Sequence, residues 1–155
     1  PIRGVAIAMN EPVGVIGIAC PNESPLLSFV SLVAPALAVG NVVVALPSQD
    51  HPLAATDLYQ VLETSDLPGG VLNIVTGDQN TLTSTLSEHA GVDAMWHFGD
   101  PAGALAVEKA SIVNLKQTWV SDGMTRDWYD PKQVPSREFL RRATQVKNIW
   151  VPYGE

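Results

Sequence analysis

The chain predicts an open α/β domain, a mostly parallel, Rossmann-like sheet with helices on both faces, and two observations carry that expectation. Apolar, β-branched runs closed by proline alternate with stretches of helical periodicity. The first of them follow one another as strand, helix and strand, the βαβ unit whose right-handed crossover leaves a ligand crevice at the carboxyl ends of the strands.

Val13 to Cys20 is an apolar run closed by Pro21, which suits a strand buried on both faces of a parallel sheet. A helix follows. Pro25 sits where a first-turn proline is tolerated, Leu26, Leu27, Val30, Val33 and Leu37 recur at helical spacing, and Gly40 supplies a stop. Val42 to Leu46 is the second strand, ended by Pro47, so Pro21 to Pro25 and Leu46 to Gln49 fall on the rim of the crevice. Pro52 to Glu63 then predicts a helix with Leu53, Leu58, Val61 and Leu62 inward, Val71 to Val75 a strand, Gln79 to His89 a helix and Asp93 to Phe98 a strand. Pro101 opens a helix that runs to Ala110, and Ile112 to Leu115 reads as a last short strand.

From Trp119 onward the rhythm changes. Three of the four tryptophans, Trp119, Trp128 and Trp150, lie there beside Tyr129 and Tyr153. Ser136 is placed as the N-cap of a helix from Arg137 to Val146, with Phe139, Leu140, Ala143 and Val146 on one face, and Lys147 to Val151 reads as a closing strand. Charge divides in the same place: residues 1–120 hold three Lys and Arg against eleven Asp and Glu, while residues 121–155 hold six against five. Aromatic and arginine side chains are enriched at interfaces, so Trp119, Trp128, Tyr129, Trp150 and Tyr153 are candidates for contact with another domain or subunit, against the alternative that the tail packs on its own domain.

The net charge of −7 speaks against nucleic acid, which calls for clustered Lys and Arg. No apolar run reaches the ~18 residues of a membrane span. One cysteine, Cys20, precludes an internal disulfide and leans towards a reducing cytoplasm. The chain opens at Pro1 without a methionine, within a strand-like stretch, which leads to the expectation that it is a portion of a longer protein.

The stretch from Glu11 to Ser48, EPVGVIGIACPNESPLLSFVSLVAPALAVGNVVVALPS, resembles the cofactor domain of the aldehyde dehydrogenase superfamily. The resemblance extends through Leu67-Pro68-Gly69-Gly70-Val71-Leu72-Asn73-Ile74-Val75-Thr76-Gly77 to His97-Phe98-Gly99-Asp100, where the family has its FTGS turn, and covers roughly the first 110 residues. It implies a dinucleotide-binding-domain-like unit at residues 11–115, with residues 1–10 and 116–155 as flap and tail elements. It also implies NAD(P)-binding positions at Leu46, Ser48, Gln49, Gly77, Phe98, Gly99 and Asp100, and an oxyanion position at Glu23.

This sequence departs from the family at those positions. Glu23 stands where the family's asparagine donates to the developing oxyanion, and a carboxylate there repels the same charge. Leu46 replaces the lysine that holds the adenosine ribose, a loss of about 1.5–3 kcal/mol for one charge-assisted hydrogen bond. Asp100 replaces the serine that meets the pyrophosphate, and two like charges ~4 Å apart at an effective dielectric of 20 repel by about 4 kcal/mol. After Gly77 the family's second turn glycine is missing, with Asp78-Gln79-Asn80 in its neighbourhood. Nothing in the chain resembles the family's glutamate loop or its nucleophile-cysteine loop. The expectation is that no cofactor is bound and no residue is catalytic, with NAD(P) as the cofactor if the site is still competent.

In aldehyde dehydrogenases the strand before this motif and the last strand of the chain form a β-flap that mediates oligomerisation. Ile2 to Met9 and Lys147 to Val151 occupy those two positions. The arrangement resembles the degenerate second domain of the sixteenth aldehyde dehydrogenase family, which implies a structural or assembly role beside a same-family enzyme domain or a second subunit. Two alternatives stand beside it: a competent NAD-binding part of an active enzyme, and a stand-alone partner- or ligand-binding module. The remaining chemistry-bearing residues have plain readings. Cys20 reads as an inert buried cysteine, with a reactive thiol as the alternative. His51, His89 and His97 lack metal-ligand spacing. Glu23 and Asp100 could pair as acid and base across the crevice, but nothing else supports that chemistry.

Overall fold

The computed structural model describes residues 4–121, 123–134 and 136–152. Five parallel strands form the sheet: β2 (Val15–Ala19), β3 (Val42–Leu46), β4 (Leu72–Ile74), β5 (Ala94–His97) and β6 (Gln117–Val120), in the order β4-β3-β2-β5-β6. A separate two-stranded antiparallel ribbon pairs β1 (Gly4–Pro12) with β7 (Thr144–Pro152). This is the expected open α/β architecture with its flap.

Helix α1 (Pro25–Ala38) starts on a first-turn proline and buries Phe29, Leu32, Val33 and Ala36. The inward face is therefore displaced from the expected one, and Leu26 and Val30 are exposed. Together with α6 (Ser136–Arg142), α1 covers one side of the sheet, where Ile16, Ile18, Val43, Trp96 and Trp119 form the main core. On the other side α4 (Gln79–Glu88) and α5 (Pro101–Ala110) cover Ala19, Leu46 and Met95. The approach there is close at Gly17, where a Cβ would stand 2.7 Å from the sulfur of Met95.

The expected helix from Pro52 to Glu63 is two short helices, α2 (Leu53–Thr56) and α3 (Tyr59–Glu63), and only Ala55 in them is fully buried. Leu53 and Val61 face solvent, while Ala55 and Leu58 pack on the main core. The expected strand from Ile112 to Leu115 is instead a 3₁₀ turn, Ser111–Asn114. Leu115 ends it in the left-handed region (φ 55°), and the Asn114 side chain donates to Ala90 O and Val92 O. The last sheet strand is β6, two residues further on, so Trp119 belongs to the sheet rather than to the tail.

The helix expected from Arg137 to Val146 stops at Arg142. The carbonyl of Ala143 accepts from Val13 N (3.4 Å) and from Asn41 Nδ2 (2.9 Å), which turns the chain into β7 opposite Pro12. Phe139 and Ala143 are buried as expected, whereas Leu140 and Val146 are exposed. The side chain of Ser136, with Ile2, Arg3 and Tyr153, lies outside the described residues. Asn41, only 3% exposed, also donates to Ala36 O and accepts from Gly14 N, and so ties the end of α1, the start of β2 and the root of the ribbon together. A buried amide with both donors and its oxygen engaged fixes a geometry that an apolar residue would leave free.

Candidate functional site

Strand order reverses between β2 and β5, so the carboxyl ends of these strands frame the crevice where doubly wound sheets take their ligands. A cavity of about 400 Å³ lies there, lined among others by Glu23, Gln79, Phe98, Gly99, Asp100, Arg126 and Trp128. A second, of about 360 Å³, lies beyond β3 and β4 and is lined by Pro47, Ser48, Gln49, Pro52, Thr76 and Gly77. The fold thus gathers the sequence-predicted positions at one rim, with one exception. Leu46 lines neither cavity; it is 2% exposed and packs into the core with Ala19, Met95 and Val107.

Asp100, Ser48, Gln49, Gln79 and Asn22 at the rim each bond to the chain itself, whereas the buried His97 Nδ1 has no hydrogen-bond partner. Asp100 is the N-cap of α5, its Oδ1 accepting from Gly103 N at 2.9 Å, and that bond holds its carboxyl below the usual carboxylate range. The His97 ring lies beneath the same turn. Burial pushes its pKa down against the opposing pull of Asp100, and a Cβ on Gly103 would stand 2.7 Å from its Nε2. Ser48 Oγ donates to Asn22 Oδ1 (2.9 Å) and accepts from His51 N (3.1 Å). The same Asn22 oxygen accepts from the backbone N–H of Gln49 at 3.0 Å. Gln49 Oε1 accepts from Gln79 N at 2.8 Å, and Gln79 Nε2 donates to Cys20 O at 2.6 Å and to Pro47 O at 3.4 Å.

Asn22 and Gln79 were not among the residues expected to matter. The signal for Gln79 was present, since it falls beside the missing second turn glycine. Asn22 carried none, because its role depends on three residues of another loop. Arg126 is a further addition. Its guanidinium carbon lies 5.5–5.9 Å from the ring centres of Phe98, Trp119, Trp128 and Phe139, and its Nη1 donates to Gln133 O. Phe98 meets Trp119 edge-on at 5.0 Å, and Trp119 meets Phe139 edge-on at 5.2 Å.

That cluster corrects two of the interface candidates. Trp119 and Trp128 are 7% and 5% exposed and belong to the chain's own core. Trp150 is 82% exposed and Tyr129 is also exposed. Cys20 is buried, and burial pushes its thiol far up, so the reactive alternative fails. His89 Nδ1 accepts from Gly91 N in a local turn. Among the described residues no cluster of His, Cys, Asp or Glu could hold a metal, and no helix is long and apolar enough to cross a membrane. Glu23 and Asp100 line one cavity, but the capping bond already occupies an oxygen of Asp100.

The sheet order, the crevice at its reversal and the helix N-termini around it define a dinucleotide-domain type of α/β unit. Residues 3–123 match the model of the aldehyde dehydrogenase family, and the chain belongs to that family. It is 38% identical over 120 residues to the NADP/NAD-dependent aldehyde dehydrogenase PuuC of Escherichia coli K12, covering 77% of this chain and 24% of that one. Its structure is similar to the crystal structure of aldehyde dehydrogenase from Bartonella henselae, with a TM-score of 0.73 and 29% identity over 78% of this chain and 25% of that one. It is also similar to indole-3-acetaldehyde dehydrogenase complexed with NAD+, with a TM-score of 0.73 and 31% identity, covering 77% and 24% of the two chains. The chain spans about a quarter of the length of the relatives it matches.

Proposed function

We propose that this chain is a non-catalytic, cofactor-domain-derived module that supports assembly of an aldehyde dehydrogenase-family protein, whose complete polypeptide oxidises aldehydes with NAD(P) in the cytoplasm. Its counterpart is the degenerate second domain of the sixteenth aldehyde dehydrogenase family. The observation that carries this reading is that Asn22, Ser48, Gln49 and Gln79 at the crevice are bonded to one another and to the strand ends, while Asp100 is engaged in capping its own helix. A dinucleotide does not fit these residues. Leu46 is buried in the core and offers a ribose no donor, and Asp100 places a carboxylate at the α5 N-terminus, where a pyrophosphate would sit. Glu23 presents a carboxylate where acyl chemistry needs a donor.

The ribbon supports the assembly part. Val5, Ile7, Met9 and Val151 are exposed, and the pairing places Val5 opposite Val151 and Ile7 opposite Ile149 on one face, with Ala6 opposite Trp150 on the other. A lone two-stranded ribbon is marginal in water, so a partner that covers it, a second subunit or a same-family enzyme domain, adds to its stability. The competing reading, a competent NAD-binding part, rests on the likeness to the NAD+ complex and is opposed by Leu46 and Asp100.

The test is sedimentation velocity on this chain and on its longer polypeptide, each with and without residues 144–155. The cut belongs at Thr144, because removing residues from Trp119 onward would also remove β6 and the aromatic core. Association that is lost with β7 is the expected result; a monomeric chain and an unchanged assembly of the longer polypeptide would overturn the proposal.

A further inference from the structure

Just beyond the carboxyl ends of β2 and β3, at the rim of the crevice, lie two backbone acceptors, Cys20 O and Pro47 O, and a hydroxyl-rich ligand lying across the strand ends would donate to such groups. Both are taken by one side chain of the chain itself. Gln79 Nε2 donates to them at 2.6 and 3.4 Å, while the Gln79 backbone N–H, which helix α4 leaves without an internal partner, donates to Gln49 Oε1. Asn22 completes the closure from the opposite side, its Oδ1 accepting from Ser48 Oγ and from the N–H groups of Gln49 and Asp50. Three loops, those after β2, β3 and β4, are therefore tied through two amide side chains.

We propose that Gln79 is an internal plug: its carboxamide stands in for a ribose-like diol at the strand ends and excludes an adenosine moiety from the crevice. The inference rests on the reading of the crevice as a site that no longer takes a dinucleotide, and it names the residue that closes it. Leu46 and Asp100 weaken what a ligand could gain. Gln79 differs from them because it removes the acceptors from reach whatever the ligand's charge.

The probe is adenosine, which is uncharged and so is not repelled by Asp100. The ¹⁵N-labelled chain, its Gln79→Gly form and its Gln79→Met form are titrated with millimolar adenosine and followed by NMR. Gln79→Met keeps the bulk of the side chain without its donor. Shifts at Gln49, Gly77 and Asp78 are expected in Gln79→Gly alone, with an affinity at least about tenfold above the other two proteins. Equal binding by all three proteins would overturn the plug, and so would no gain in Gln79→Gly. Amide exchange on the unaltered chain gives an independent check: the N–H groups of Gln79 and Gln49 exchange slowly if the closure holds, and exchange at open-loop rates would contradict it. The two proposals separate cleanly. Adenosine binding gained on Gln79→Gly leaves the assembly role standing, whereas tight NAD binding by the unaltered chain removes that role's main support.

Discussion

The parallel sheet and the β1–β7 ribbon are built from similarly apolar strands and end in opposite conditions. In the sheet, Ile16, Ile18, Val43 and Trp96 are all but inaccessible, and Ser48, Gln49 and Gln79 beyond the ends of β2 and β3 are bonded within the chain. In the ribbon, Val5, Ile7, Met9, Trp150 and Val151 remain in solvent, although nine residue pairs zip the two strands together. The difference teaches where the two regions find their stability. The centre of the sheet is buried under helices on both faces, whereas the ribbon keeps apolar side chains of both strands in solvent.

The contrast breaks most visibly at the aromatic cluster. Trp119→Ala should destabilise the domain by about 3–5 kcal/mol in urea unfolding, because Trp119 joins the edge strand to Phe98 and to Phe139 of α6. A small effect would mean that the tail does not close the core.

Asp100→Ala should cost about 0.5–2 kcal/mol at neutral pH, towards the low end because the carboxylate is exposed and screened. The pKa of Asp100 is lowered in the folded state, chiefly by the Gly103 N–H, so its contribution is fully present above the ordinary aspartate value and fades as pH falls through the lower, folded one. The stability gap between the two proteins should therefore shrink below about pH 4. A gap that stayed constant in acid would contradict the capping role.

At the root of the ribbon, Lys147 Nζ meets Glu11 Oε1 at 3.0 Å with both side chains partly in water. Glu11→Gln should cost about 0.2–1 kcal/mol, less in high salt, by the same unfolding measurement. The smallest change in folding stability is expected for Trp150→Ala, within about 0.5 kcal/mol. Its effect should fall on association, read by sedimentation, and a large loss of folding stability would show that the two regions are not as different as they look.

Why some of this was legible in the sequence follows from the same contrast. Proline and glycine punctuation located β2, α1 and β3, since a buried parallel strand must be a continuous apolar run and a crossover helix must begin where it ends. The edge was harder. Ile112 and Val113 have strand composition, but Leu115 in the left-handed region and the Asn114 side chain turn that stretch into a 3₁₀ connection. The stop of α6 depends on Asn41 and Val13, more than a hundred residues away, which no local pattern records. At the rim, residue identity showed that Leu46 and Asp100 depart from the family. It could not show that Gln79 and Asn22 bond across three loops, because that is a property of loop positions.

If the proposed module has the fold of a cofactor domain but no longer takes the cofactor, NAD should not bind the folded chain. Isothermal titration of the folded chain with NAD tests it most directly. The account predicts no saturable binding tighter than about 100 μM, and a one-to-one isotherm below that value would contradict it.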